Sequence, residues 1–200
     1  MARNPATTSF AGVAYRYANY DTPFWARSNT GPGRWHVPGD GPTQYLSLTT
    51  DGAWAELIRD ENLSTEAEVA LVRMDLWQVR IDCGRLADYR DFEKAEAAGF
   101  APAALIDDDY ARCQREGRRL RDLGYGGVIA PSAALPGEAN LTLFGARVAV
   151  AWDSNPTLTS AVPAGVMTRG APPEGLAGRV RFVGARHTGY AAYRRAKRKS

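Results

Sequence analysis

Fifteen consecutive residues, Val69 to Cys83 (VALVRMDLWQVRIDC), are rich in β-branched and apolar side chains interleaved with charges. At that length they make one bent strand or two short ones, and a strand needs partners. The rest of the chain supplies them. Val13–Ala18 (VAYRYA) alternates, Gln44–Leu48 follows the Gly39–Pro42 turn, and Gly127–Pro131, Leu141–Phe144 and Val148–Trp152 are further short β-rich runs. Helices fall between them. Thr50 or Asp51 caps one that runs to about Arg59, with Ala53, Trp54, Leu57 and Ile58 on its apolar side and Glu56 on another face. A weaker helix spans Leu86–Ala98 and stops at Gly99. A better-marked one follows Asp107–Asp109, carries Arg115, Arg118, Arg119 and Arg121 in its second half, and closes at Gly124. Acid at its start and base at its end suit the helix dipole, so the triple Asp reads as a helix entry rather than a Mg²⁺ site. The order β-α-β-β-α-α-β-β-β predicts an α+β domain on a mixed sheet, not a βαβ winding.

Two hundred residues suffice for a substantial core without a disulfide or metal staple. No run approaches 18 apolar residues, and Met1–Phe10 lacks the apolar stretch of a signal peptide, so a soluble cytoplasmic protein is expected. Cys83 and Cys113 read as reduced thiols, and with only His36 and His187 beside them a zinc site lacks ligands. The Walker, GxGxxG, GxSxG and HExxH patterns are absent. Kinase, P-loop, Rossmann, zincin and serine-hydrolase readings lose their usual warrant.

Charge divides the chain. Eight of its 25 Lys and Arg lie in the 22 residues from Arg179 to Ser200, which contain no acid; the other 178 residues hold 17 basic and 22 acidic side chains. The net charge of +3 therefore belongs to the tail. Pro, Gly, Ala and Thr dominate residues 156–178, which read as a linker or loosely held loop. The expected organisation is a catalytic domain over 1–155 followed by a Pro/Gly-rich segment and basic extension over 156–200. Tyr190 and Tyr193 interleave with the tail's cations, as base stacking would want. A non-enzymatic nucleic-acid-binding protein is thus a second reading, set against a solvated or partner-docking terminal helix, which is preferred.

Taken alone, the central residues suggest a pocket for an anionic, planar ligand. In Tyr15-Arg16-Tyr17, Arg16 takes one strand face and the tyrosines the other. Arg34-Trp35 follows a Gly-Pro-Gly turn that lets backbone approach a ligand. Guanidinium forks bind phosphate, and aromatic rings stack on heterocycles. Ordinary surface arginines beside core aromatics would show the same spacing, and that alternative stays open here.

Five pieces in order go further: Gly33-Arg34-Trp35; Gln44-Tyr45-Leu46-Ser47; Ala55-Glu56; Gly124-Tyr125-Gly126-Gly127 leading to Ala130-Pro131-Ser132-Ala133; and Glu138-Ala139-Asn140-Leu141. Over about Val13–Phe144 the chain resembles the RES domain family, the toxins of RES–Xre toxin–antitoxin pairs. The resemblance implies an ADP-ribosyltransferase-like fold and an NAD⁺-consuming activity, with NAD as substrate and no metal. It assigns catalytic roles to Glu56, Arg34 and Ser132, and NAD binding to Arg16, Tyr17, Arg34, Tyr45 and Asn140. His36 reads as a loop residue near the pocket. The expected reaction is cleavage of the nicotinamide–ribose bond by water or phosphate, with ADP-ribosyl transfer to a protein or nucleic acid as the alternative. An Xre-type antitoxin is the expected protein partner. The ribosyl acceptor and a homodimer are left open. Since the assigned residues end at Asn140, loss of the residues after Gly184 is expected to spare NAD⁺ cleavage.

Overall fold

The long β-rich run does become the spine of the fold, but shifted. In the computed structural model, which describes residues 3–19 and 21–199, β3 spans Met74–Asp88 and pairs along its whole length with antiparallel β1 (Thr7–Ala18), from Thr7 opposite Ala87 to Ala18 opposite Asp75. Its other edge is shared. The first half takes β7 (Ala161–Gly170) antiparallel, and the end takes β4 (Gly127–Pro131) parallel. From β4 the ladder continues through β5 (Ala139–Phe144) to β2 (Thr43–Ser47), both antiparallel, and returns to β1 where Tyr15 faces Ser47. Five strands thus close a circuit of pairings, and a short β6 (Val148–Val150) adds to β7 in parallel. Inside lie Ala14, Leu46, Val79, Ile81, Ile129, Leu141 and Leu143, all buried. Around Val79–Ile81 the buried and exposed positions alternate, as a strand with one covered face requires. This is the mixed-sheet α+β architecture expected from the order of elements.

Helix α1 (Thr50–Asp60) begins one residue before its expected start, because Thr49 Oγ1 accepts the Gly52 N–H at 3.0 Å and Asp51 sits in the positive first turn. Ala53, Trp54, Leu57 and Ile58 bury into a second core with Val69, Leu76, Leu135, Leu176 and Val180. Three other segments correct the sequence reading, and a fourth, the helix after the triple Asp, stands as expected but differs in how it is capped. Val69 belongs to a short helix, α2 (Glu66–Ala70), set by a Thr65/Glu68 capping box that outweighs the β-branched residue. The helix expected from Leu86 starts only at α3 (Phe92–Ala97), capped by Asp91, since Leu86–Asp88 are claimed by the β4 ladder. Helix α4 (Ala111–Asp122) starts after the triple Asp without a side-chain cap at Tyr110. Asp109 accepts the Ala111 N–H, but Asp108 turns away to two arginines. The linker expectation over 156–178 fails as well: β7 lies within it, hydrogen-bonded to β3 on one side and β6 on the other, with Val162 and Ala164 in the core.

The basic extension is docked. Its last helix, α5 (Thr188–Lys197), places Tyr190 and Tyr193 against Phe92, at centroid distances of 5.1 and 5.4 Å. Those rings are spent on packing and are not interleaved for base stacking, while Arg194, Arg195 and Arg198 remain exposed. Among the described residues no helix is long and apolar enough to cross a membrane.

Candidate active site

A cleft of about 680 Å³ opens between β1, the loop before β2, α1 and the ends of β4 and β5. Glu56 is part of its lining. Two side chains grip one carboxylate oxygen: Asn140 Nδ2 donates to Oε1 at 2.6 Å and Ser132 Oγ donates to the same atom at 2.9 Å. Each donor is itself fixed. Ser47 Oγ donates to Asn140 Oδ1 at 3.0 Å, which orients the amide, and Ser132 Oγ accepts the N–H groups of Ala134 and Leu135. Bonds to a charged acceptor are the stronger kind, so the carboxylate is held in one orientation before any ligand arrives.

Helical spacing brings two further charges to the same wall. Asp60 lies one turn beyond Glu56 and accepts the Tyr17 hydroxyl at 2.8 Å. Crowding by the cleft wall, and then the Glu56 charge, push its carboxyl up to about 6. Burial, with the same two carboxylates, pushes the Tyr17 phenol upward, so Tyr17 stays a neutral donor. Arg59, three residues after Glu56, is buried and donates to Asp108 at 2.5 Å, while its Nε lies buried in the cleft wall with no hydrogen-bond partner among the described residues. Sequence reading missed both Arg59 and Asp60, yet their i+3 and i+4 offsets from Glu56 were the signal that could have found them.

The opposite wall is a braced loop. Gly33 packs so closely that a Cβ there would sit 2.5 Å from the Tyr45 hydroxyl, so a larger residue would displace the Tyr45 and His36 side chains. That hydroxyl accepts the Trp35 N–H at 2.9 Å and meets His36 Nδ1 at 2.8 Å; His36 Nε2 reaches the Gly31 carbonyl at 2.9 Å. The carbonyl partner requires a proton on Nε2, so Nδ1 accepts from Tyr45. Burial pushes the Tyr45 phenol up and the His36 imidazole down, keeping both neutral. Gly117 of α4 permits direct contact with the Trp35 carbonyl, 2.3 Å from where its Cβ would be. Arg34 projects from this frame. Its Nη1 donates to the Asp107 carbonyl at 2.7 Å, its guanidinium lies 4.5 Å from the Tyr110 ring centre, and its Nη2 is buried with no hydrogen-bond partner among the described residues. Arg16 joins it in the cleft, 5.9 Å from the Trp25 ring centre.

Of the residues assigned from the sequence, Arg16, Tyr17, Arg34, Tyr45, Glu56 and Asn140 all line this cleft. Ser132 does not. It is fully buried and reaches the cleft only through Glu56. The Tyr45 hydroxyl is occupied by the loop, so that side chain offers the cleft its ring. His36 has both ring nitrogens engaged, consistent with a loop residue.

Residues 11–163 match the model of the RES domain. The chain belongs to the RES domain family. A Mycobacterium tuberculosis protein named "Probable NAD(+) phosphorylase Rv3189" is 34% identical over 123 residues, which are 57% of this chain and 54% of that protein. The chain thus matches about half the length of that relative. A chain in the crystal structure of the M. tuberculosis MbcT–MbcA toxin–antitoxin complex shares the fold, with a TM-score of 0.57 and 24% identity over 68% of this chain and 75% of that one. Of the Arg, Glu and Ser of the sequence reading, Arg34 and Glu56 line the same cleft and Ser132 is hydrogen-bonded behind Glu56.

Proposed function

We propose that this protein cleaves the nicotinamide–ribose bond of NAD⁺ and passes the ADP-ribosyl group to inorganic phosphate. The observation that carries the reading is the Glu56 carboxylate, locked by Ser132 and Asn140 in a cleft edged by guanidinium groups, in a RES-family chain. The cleft's volume falls within the range of about 300–1,000 Å³ usual for small-ligand sites.

The chemistry follows from these parts. The C1′–N bond breaks with its electron pair going to nicotinamide, which leaves neutral and needs no acid. The barrier lies in the cationic ribosyl carbon. Glu56 places a full negative charge beside it, as the second carboxylate of a glycosidase does. Arg16 and Arg34 offset the pyrophosphate and fix its bend, and Arg34 has a buried N–H to give. The Tyr45 ring and Tyr17 wall the nicotinamide side.

The choice of phosphate as acceptor rests on the charge next to Glu56. Arg59 and Arg181 share one acid, Asp108, and Arg59 Nε sits in the cleft wall with no hydrogen-bond partner among the described residues, a cation beside Glu56 for an incoming anion. A phosphate oxygen there forms the new C1′–O bond, and Asp60 takes the proton when the acceptor arrives monobasic. The name of the M. tuberculosis relative supports the same choice. The structural neighbour comes from a toxin–antitoxin complex, and we extend to this chain an Xre-type antitoxin as partner and a toxic effect when expressed alone. Nicotinamide release from NAD⁺ by the purified protein tests the reading. Release that stops in Glu56→Gln supports it, and no release from the wild type overturns it.

A further inference from the structure

We propose that the C-terminal segment, beyond the residues matched by the RES model, is a positioning element for the active-site carboxylate, acting through His187. The proposal rests on the reading of Glu56 given above. His187 is buried, at 4% exposure, and precedes α5. Its Nδ1 accepts the Tyr190 N–H at 3.0 Å, so the ring proton is on Nε2, which donates to the Ser132 carbonyl at 3.0 Å. The Phe92 ring edge closes over the imidazole at a centroid distance of 5.9 Å. Ser132 is therefore gripped at both ends of its backbone: its N–H donates to the Glu138 carbonyl at 2.8 Å, and its C=O is taken by His187. Between those two bonds its hydroxyl is aimed at Glu56. Without the imidazole the carbonyl is a buried acceptor lacking its partner, and the peptide is free to turn toward another donor.

A second brace runs to the same helix from the same segment. Arg181 donates to both oxygens of Asp108, at 2.9 and 3.1 Å, the Gly184 N–H adds a third bond, and Asp108 holds Arg59, three residues beyond Glu56 on α1. The Arg181 N–H also donates to the Ala134 carbonyl at 2.7 Å, inside the turn that Ser132 closes. The basic extension thus reaches Glu56 from two directions without itself touching the substrate. This reverses the expectation that residues after Gly184 are dispensable for turnover.

The two ring nitrogens can be tested apart. In His187→Asn the side-chain oxygen still accepts from Tyr190 as a helix cap, but nothing reaches Ser132. In His187→Gln the amide reaches Ser132 and the cap is lost. The proposal expects kcat for NAD⁺ loss to fall about ten-fold in His187→Asn, the weight of one hydrogen bond, with KM little changed, and to recover most of the way in His187→Gln. Equal losses in both variants, tracking their melting temperatures, would mean a purely structural role and would overturn it. Amide hydrogen exchange at Ala134 and Leu135, which bond the Ser132 hydroxyl, reads the same geometry without turnover. It should accelerate about ten-fold in His187→Asn but not in His187→Gln. Unchanged exchange overturns the positioning role whatever the substrate proves to be, whereas a wild type that leaves NAD⁺ intact overturns the activity reading instead.

Discussion

Replacing Glu56 by Gln removes a charge and almost nothing else. Both donors, Asn140 Nδ2 and Ser132 Oγ, bond the same oxygen, so the amide oxygen of Gln can accept both while its NH₂ takes the place of Oε2. What disappears is the attraction between a carboxylate and the cationic ribosyl carbon. At about 4 Å and an effective dielectric of about 20 this amounts to about 4 kcal/mol. Each 1.36 kcal/mol is tenfold in rate, so kcat should fall by about 10³ with KM for NAD⁺ nearly unchanged. Stability should move far less. Glu56 and Asp60 are like charges one turn apart, and the Glu56 charge helps lift the Asp60 carboxyl to about 6. Neutralising one member relieves about 0.3–0.5 kcal/mol of repulsion but weakens the two charge-assisted bonds from Asn140 and Ser132, so unfolding free energy should change by no more than about 1–2 kcal/mol. The assay is nicotinamide release by chromatography beside thermal unfolding at pH 7.5. A Gln variant that keeps its fold and turns over within tenfold of wild type would refute the assignment of the transition-state charge to Glu56.

Three other perturbations follow from the same geometry. Arg34→Ala removes the guanidinium whose Nη2 has no partner among the described residues, so steady-state kinetics should show KM for NAD⁺ rising at least tenfold, while Arg34→Lys, which cannot form a fork, recovers only part of that. Asp60→Asn should stabilise the fold at alkaline pH. With its folded pKa raised to about 6, Asp60 contributes stability below its unfolded value of 3.8 and loses it as pH rises through about 6. Two units are worth about 3 kcal/mol when fully sheltered; because Asp60 is open to cleft water, about 1 kcal/mol is expected at pH 8, vanishing toward pH 4, as read by denaturant unfolding at both pH values. Asp108→Asn leaves the buried Arg59 and Arg181 guanidinium groups without their anion and should cost about 3–5 kcal/mol of unfolding free energy, whereas Arg179→Ala, which breaks an exposed pair with Asp51, should cost less than about 1.

Much of the cleft was legible because its residues sit on locally coded elements. The Thr50 or Asp51 start, off by one residue, and the Ala53, Trp54, Leu57, Ile58 stripe placed α1, and the Tyr-Arg-Tyr alternation placed β1. Arg59 and Asp60 could have been read as well, since i+3 and i+4 from Glu56 on a helix share its wall. The burial of Ser132 could not, because it depends on how the turn after β4 folds back beneath α1. Nor could the placement of the C-terminal segment. Its composition is that of a solvated tail, and what docks it is long-range: Tyr190 and Tyr193 on Phe92, Arg181 on Asp108, His187 on Ser132. The β7 strand was hidden for a similar reason. Pro163 and Gly165 argue against a strand locally, but the unpaired edge of β3 claims the backbone.

The most direct test of the account is to incubate the purified protein with NAD⁺ in phosphate-free buffer and again with inorganic phosphate, and to resolve the products by liquid chromatography and mass spectrometry. The account predicts that phosphate accelerates NAD⁺ loss and that nicotinamide appears together with ADP-ribose carrying one added phosphate on the ribose that bore the nicotinamide. Unphosphorylated ADP-ribose in both buffers would replace phosphate by water as acceptor, and NAD⁺ left intact in both would contradict the central claim.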